Sequence, residues 1–478
     1  MLKPVRKEDE AAIVRRMLEL GYQVELDALT KVLEQEGNVE GALKVLDMAI
    51  KSKAQAKGRR YVITFQDVRP FVRFDNDLRD ENQMVSFDYV ILRDPTKFIG
   101  PYAEAVGYIH LFKNRYDKMM EIVRTRPDFY QIERLGNIKG SLGGRKVSAK
   151  VAGFVVSKKI GTDFGAVTLE DDSGYMRVMC AGDIRRKLEE FLLDEMVLAE
   201  VESLPKGYYA KGLSHLDIPE RAKNLCPAEV CVMFLSDLCL GTPDFDSQAF
   251  ERLLGWLNGD FGELDIVSKV KYVVLNGGLI DDPMGRGDLR ESEIESHYDR
   301  LADYIGKIKR AVRVFVLPGE SDATRRALPQ PAVLRKYAKR LYGMNNVIML
   351  GNPSVIQLHG VNVLLFHGQS LDGVMAQLGS RGPMKPSVGI RALLRARHLA
   401  PTYGQGVPIA PEREDLLVVD EVPDIVHCGH LGKPDDDMYR GTLMISTPKW
   451  IRVNHGVEGE SGKAALVDLS TFQVLWRP

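Results

Sequence analysis

The sequence predicts a multidomain α+β protein: an N-terminal helical module, a small β-barrel and a C-terminal α/β sandwich. Three observations carry this. Apolar stripes at helical spacing open the chain. Alternating strands around the turn-rich Glu170–Gly174 occupy its middle. Five apolar runs, each ending in glycine, aspartate or histidine, fill its last half. The length of 478 residues suffices for such a division.

Composition narrows the function classes. With 45% hydrophobic and 27% charged residues the chain reads as globular. A formal net charge of -1 excludes a global basic field, so any DNA contact is local or made through a partner. The cysteines Cys180, Cys226, Cys231, Cys239 and Cys428 show no CxxC spacing, which argues for reduced thiols and against a zinc finger. No signal peptide opens the chain and no apolar run is long enough for a membrane span, so a cytoplasmic protein with no membrane partner is expected.

Residues 1–52 read as the helical module. Its stripes are Ile13, Val14, Met17 and Leu18; Ala28, Leu29, Val32 and Leu33; and Ala42, Leu43, Leu46 and Ala49. Gly21 and Gly37 mark helix ends and Asn38 an N-cap. Such a module either packs on itself or docks on a partner. Residues 53–125 read as a linker and connecting helix. The run Lys51–Arg60 is basic and aperiodic, hence a solvated stretch or a contact to a nucleic-acid backbone. Tyr61–Phe65 and Phe71–Phe74 suit short strands. Tyr102–Arg126 suits a helix with Ile109, Phe112, Tyr116 and Met120 facing the core.

Residues 126–222 carry the barrel. Strands are expected at Val147–Ile160, Gly165–Leu169, Tyr175–Cys180, Val197–Leu204 and Tyr208–Leu213, with a helix Asp183–Leu193 N-capped by Asp183. Three strands, a helix and two strands is the order of an OB-fold. Such barrels bind single strands through aromatic and basic residues, or act as protein spacers. Lys158, Lys159, Arg177 and Tyr208 are the candidate DNA contacts.

Residues 223–478 carry the sandwich. Val232–Gly241 delivers Asp237 to the tip of a buried strand. Tyr272–Asp281 runs into Gly277-Gly278, Val312–Asp322 into Pro318-Gly319, Val361–His367 into His367, and Asp424–Gly432 into Gly429-His430. This order of loops resembles the calcineurin-like metallophosphoesterases, whose pattern is D-x-H, G-D-x-x-D-G, G-N-H-D, a lone His and G-H-x-H. That resemblance implies an αββα sandwich with two divalent cations, Mn or Mg, bridged by a carboxylate. Here Cys239 replaces the first His and Gly278 the bridging Asp. Glu320-Ser321 replaces Asn-His, and Gly432 replaces the last His. Asp237, His367 and His430 remain, with Glu320 and Cys239 as substitutes for lost ligands. No catalytic residue is expected; a metal, if one binds, falls to Asp237, Glu320, His367 and His430.

An OB-fold followed by this sandwich resembles the B-subunits of replicative DNA polymerases. The runs PGESDATRRALPQP, FHGQSLD, RHLAPTYG, PDIVHCGH and YRGTLMIS are most similar to the small subunits of archaeal D-family polymerases. The resemblance implies a large catalytic subunit as partner, DNA reached through that complex, and the sliding clamp and primase as further partners. It also implies a 3′→5′ exonuclease ancestry, lost here at Cys239, Gly278, Glu320, Ser321 and Gly432. Alternatives are an active exonuclease with a rebuilt metal site and a free-standing single-stranded DNA binder. The face around Trp450, Tyr439 and the insertion Ser370–Glu421 is the expected subunit interface.

Overall fold

The computed structural model of the chain divides into two compact units, Met1–Phe87 and Asp88–Pro478. It describes residues 7–20, 22–25, 28–29, 32–33, 39–55, 62–63, 86–100, 105–129, 131–138, 147–280, 291–379, 384–404, 406–452 and 461–477.

In the first unit, helices Lys7–Glu19 and Val39–Gln55 pack with residues 28–29 and 32–33 around one core. Ile13 and Met17 are buried, whereas Val14 and Leu18 of the expected stripe are exposed. A short parallel pair joins Gln23–Val24 to Val62–Ile63, and Ile63 is fully buried in the same core. The module therefore runs past residue 52, because Ile63 completes its apolar centre. Gly21, Gly37, Asn38, Phe71–Phe74 and 56–60 of the basic run lie outside the described residues.

In the second unit, strands Val147–Ile160, Phe164–Asp171, Gly174–Ala181, Met196–Leu204 and Gly207–His215 close a five-stranded barrel. The third and fifth strands pair parallel and complete the ring, which is the OB-fold connectivity. Asp171 fixes the hairpin turn by accepting from the Ser173 amide at 2.8 Å and the Leu135 amide at 2.8 Å. The helix covers only Gly182–Lys187, and Asp183 is not its cap. It stops there because Leu188, Phe191 and Leu192 turn inward and are fully buried.

The sandwich holds two six-stranded sheets. In the first, Cys231–Leu235, Val270–Asn276, Arg313–Leu317 and Val347–Met349 run parallel. All residues of the first three are buried, as near-continuous apolar runs demand of a strand covered on both faces. In the second, Val361–Leu365, Ile425–Cys428 and Thr442–Ser446 run parallel. Its edge is Tyr89–Arg93, in a stretch expected to be linker, which pairs antiparallel with Ser354–Leu358. The stretch 53–125 is thus shared among module, sandwich and connecting helix.

That helix, Ala105–Arg124, buries Leu111, Arg115, Met119 and Val123, and leaves Ile109 67% exposed. Of the expected stripe Met120 is buried and Phe112 and Tyr116 are half-buried, and only Ile109 faces out; a charged residue, Arg115, lies on the buried face. Arg115 Nε donates to Asp415 Oδ2 at 2.6 Å, and His398 Nε2 lies 3.1 Å from the same oxygen. Arg397 donates to the carbonyls of Val419 and Asp420, each at 2.7 Å. Thr402 donates to the Leu193 carbonyl at 3.1 Å, and the Tyr403 amide to Asp194 at 2.9 Å. The RHLAPTYG run and its insertion thus fasten the barrel and connecting helix to the sandwich.

The expected subunit interface is corrected on three points. Trp450 is fully buried and meets Phe250 edge to face at 5.3 Å, so it is core. Tyr439 donates to Asp217 Oδ2 at 2.8 Å across the junction with the barrel. Much of the insertion is interior, Leu393, Leu394, Leu417 and Val418 among its buried residues. Trp450→Ala is expected to lower unfolding stability by about 3–5 kcal/mol, the usual cost of emptying a buried aromatic site. Urea unfolding checks it; a loss below about 1 kcal/mol contradicts this placement.

Candidate functional site

The parallel strands set five loops side by side at their C-terminal ends, as the sequence led us to expect. Asp237 and Cys239 follow Leu235, Gly277-Gly278 follow Asn276, Gly319–Asp322 follow Leu317, His367 follows Leu365, and Gly429-His430 follow Cys428. The Asp237 amide donates to the Gly277 carbonyl and the Cys239 amide to the Gly278 carbonyl, both at 2.8 Å. Asp237, Cys239, Gly277, Gly278 and His430 all have φ between 52° and 77°. Left-handed backbone in non-glycine residues is uncommon, and here it turns the Asp237 and His430 loops sharply at the strand tips.

The aspartate at the centre is spoken for. Asp237 is 4% exposed; its Oδ1 lies 3.2 Å from His367 Nε2 and its Oδ2 accepts the His430 amide at 2.8 Å. Burial pushes its carboxyl up, but His367, Ser236 and the His430 amide outweigh that and hold it at about 2. His430 turns the other way: Nε2 meets Asp372 Oδ2 at 2.8 Å, and Nδ1 stands 3.9 Å from Glu320 Oε2. His367 and His430 meet ring to ring, centroids 5.4 Å apart.

These residues do not fit a two-metal centre. Gly278 offers no bridging carboxylate. A Cβ there would lie 2.5 Å from Asp237 Oδ1 and 2.8 Å from its Cα, so the loops have closed over the space. A Cβ at Gly319 would lie 2.6 Å from both the Gly278 nitrogen and His367 Cε1. Among the described residues no group of three His, Cys, Asp or Glu is arranged to hold a metal ion. Ser321 donates to the Ile280 carbonyl at 3.0 Å instead of facing a substrate. Cys239 directs its thiol to the Asp237 carbonyl at 3.5 Å, and Gly432 packs on the Lys449 side chain. Glu320, half-exposed, and Asp372, 73% exposed, flank His430 at the mouth of a shallow cleft. Two carboxylates there disfavour a phosphodiester unless cations screen them.

Other residues were missed in the sequence and hold the loops. Asp322 is fully enclosed and accepts the Gly319 amide at 2.8 Å, the Leu279 amide at 3.2 Å, the Ile280 amide at 3.3 Å and the Tyr298 hydroxyl at 3.0 Å. Burial pushes its carboxyl up to about 6. It occupies the last place of the G-N-H-D pattern, which was the available signal. Asn352 bonds Gln330 at 2.7 Å and receives the His367 amide at 3.0 Å. His427 contacts Thr447 at 2.9 Å, and burial depresses it to about 3.

The buried titratable groups fix the pH dependence. His427 at about 3 and His398 at about 4 both sit below the ordinary 6.5, burial being the first cause. A depressed histidine contributes stability above pH 6.5 that is lost as pH falls toward its folded value, on the order of 3 kcal/mol each. Asp322, raised to about 6 from 3.8, works oppositely and gains stability between these limits as pH falls. The two histidines outweigh it. Urea unfolding is expected to show a loss of stability from pH 7 to pH 4, steeper in Asp322→Asn. A flat profile contradicts the assignment.

On the barrel, Lys158 donates to the Phe191 carbonyl and Tyr208 to the Ile138 carbonyl, the latter at 2.7 Å. Burial lowers the Lys158 ammonium pKa. Both side chains therefore already have a partner within the barrel. Lys159 and Arg177 are exposed on its outer surface. The structure does not bring the barrel residues together with Asp237, His367 and His430 into one site.

An OB-type barrel is thus fastened to an α/β sandwich whose five strand-end loops keep the expected order. The family described as the B-subunit of DNA polymerase alpha/epsilon matches residues 232–434. The chain is 31% identical over 369 residues to the DNA polymerase II small subunit of Archaeoglobus fulgidus, covering 75% of this chain and 73% of that one. It is 34% identical over 394 residues to the DNA polymerase II small subunit of Pyrococcus abyssi, covering 78% of this chain and 62% of that one. The solved structure of an archaeal phosphodiesterase matches at 10% identity with a TM-score of 0.28, over 52% of this chain and 99% of that one. The chain belongs to the DNA polymerase II small-subunit family. It spans 62% of the length of the Pyrococcus abyssi relative. Among the described residues no helix is long and apolar enough to cross a membrane.

Proposed function

We propose that this chain is the small subunit of a D-family replicative DNA polymerase, that it scaffolds a large catalytic subunit, and that its own 3′→5′ exonuclease chemistry is lost. Family membership supports the first part. The observation that carries the last is Gly278 packed on Asp237, with both carboxylate oxygens of Asp237 already bonded. Metal-assisted phosphodiester hydrolysis needs open coordination positions on a bridged pair of cations, and these loops offer none. DNA then reaches the subunit through the complex, and the sliding clamp and primase are further partners in this reading.

The alternative is an active exonuclease with Asp237, Glu320, His367 and His430 rebuilt around Mn or Mg. It requires the Asp237–His367 contact to open and Glu320 to swing inward. The experiment is degradation of a mismatched 3′ end by the chain with and without its large subunit, in manganese. The expected result is co-purification of the two subunits and no degradation that depends on this chain. Degradation abolished by Asp237→Ala and His430→Ala overturns the reading. A free-standing single-stranded DNA binder would instead show strongly salt-dependent binding by this chain alone.

A further inference from the structure

Away from the strand-end loops, the connecting helix and the barrel enclose a groove of about 780 Å³. Its walls are unusual in combining aromatic rings with carboxylates. Phe112 and Tyr403 meet edge to face at 5.0 Å, and Tyr116 faces Phe154 at 6.3 Å. Tyr403 is 43% exposed, an amphipathic ring held open to solvent. Asp117, Glu170, Asp172 and Asp194 line the same groove. Against them stand Lys113, Arg115, which Asp415 neutralises at 2.6 Å, and Arg134, which pairs with Asp172 at 3.3 Å. Carboxylates still outnumber cations here, and the Tyr116 phenol is pushed up to about 12, by burial first and then by Asp172 and Asp171 against the opposing pull of Arg134.

We propose that this groove docks a basic peptide segment of a partner chain. An arginine or lysine side chain of the segment lies against the exposed Tyr403 ring, whose π face attracts a cation. Asp117 and Glu170 neutralise it. The same carboxylates repel phosphate, so nucleic acid is the wrong occupant. An apolar helix would leave these carboxylates desolvated and unpaired. The inference rests on the subunit reading only for the existence of a partner, and it holds whether or not the nuclease is lost.

The test titrates the full chain against two fluorescein-labelled octapeptides, one alternating arginine and glycine, the other glutamate and glycine, read by anisotropy at physiological salt. The cationic peptide is expected to bind and the acidic one not. The Asp117→Asn/Glu170→Gln double variant and Tyr403→Ala are each expected to weaken binding about tenfold or more. Tyr403→Phe keeps the ring and binds as the parent does. Glu229→Gln/Glu251→Gln makes the same change in net charge at exposed sites outside the groove, and is expected to bind as the parent does. Matched thermal unfolding midpoints show that each variant is folded. Equal weakening by the control pair would mean that binding follows net charge, and would overturn the proposal. Unchanged binding in the groove variants, or equal binding of both peptides, would do the same.

Discussion

Gly278→Asp is expected to destabilise the Asp88–Pro478 unit by about 3 kcal/mol or more, and to restore no nuclease activity. This substitution returns the missing bridging carboxylate, so it should help if the site were merely one ligand short. The geometry says otherwise. The new Cβ would meet Asp237 Oδ1 at 2.5 Å and the Asp237 Cα at 2.8 Å, and the latter is backbone that cannot rotate away. The residue has φ +62°, which aspartate tolerates better than most side chains but still at a cost. A second carboxylate would be forced beside one that is already enclosed and held ionised at about 2. Denaturant unfolding measures the loss, and manganese-dependent degradation measures recovery. A Gly278→Asp protein as stable as its parent would contradict the closed packing of these loops.

Asp415→Ala is expected to cost a similar amount or more, about 3–5 kcal/mol. Asp415 is held far below the usual carboxylate range; its burial is outweighed by Arg115 and His398. Its side chain and that of Arg115 are 1% and 3% exposed. Removing the carboxylate leaves a guanidinium buried without its counter-charge and deprives the Leu417 amide of its acceptor. Most of the cost is that stranded charge, so the double variant Arg115→Met/Asp415→Leu should recover a large part of it. A double-variant cycle separates the two readings. If the double variant is as unstable as Asp415→Ala, the pair is not what fastens the insertion to the connecting helix.

The strand-end loops were legible because buried parallel strands write themselves as apolar runs, and their C-terminal turns must be glycine-rich. Asp237, His367 and His430 could be placed for that reason. The barrel was legible from alternation around Asp171–Gly174, and its closure followed from strand order. What stayed hidden depends on distant partners. Tyr89–Arg93 looks like linker until Ser354–Leu358 pairs with it. Arg115 in a helix reads as surface until Asp415, 300 positions away, neutralises it. Trp450, Tyr439 and the insertion Ser370–Glu421 read as an outward face because aromatic and basic residues mark interfaces as readily as cores; only packing distinguishes them. Lys158 and Tyr208 were assigned to DNA on residue type, and their hydrogen bonds to Phe191 and Ile138 could not be read from type. Asp322 keeps the last place of its loop pattern, but its enclosure by the Gly319, Leu279 and Ile280 amides and the Tyr298 hydroxyl depends on residues up to 43 positions away.

Manganese binding to the purified chain, followed by loss of the free-ion paramagnetic resonance signal, tests the central claim most directly. The closed loops predict no stoichiometric binding, and no difference between the parent and Asp237→Asn. Two manganese ions per chain, lost together in Asp237→Asn and His367→Asn, would contradict the account. They would mean that the loops open to rebuild the metal centre.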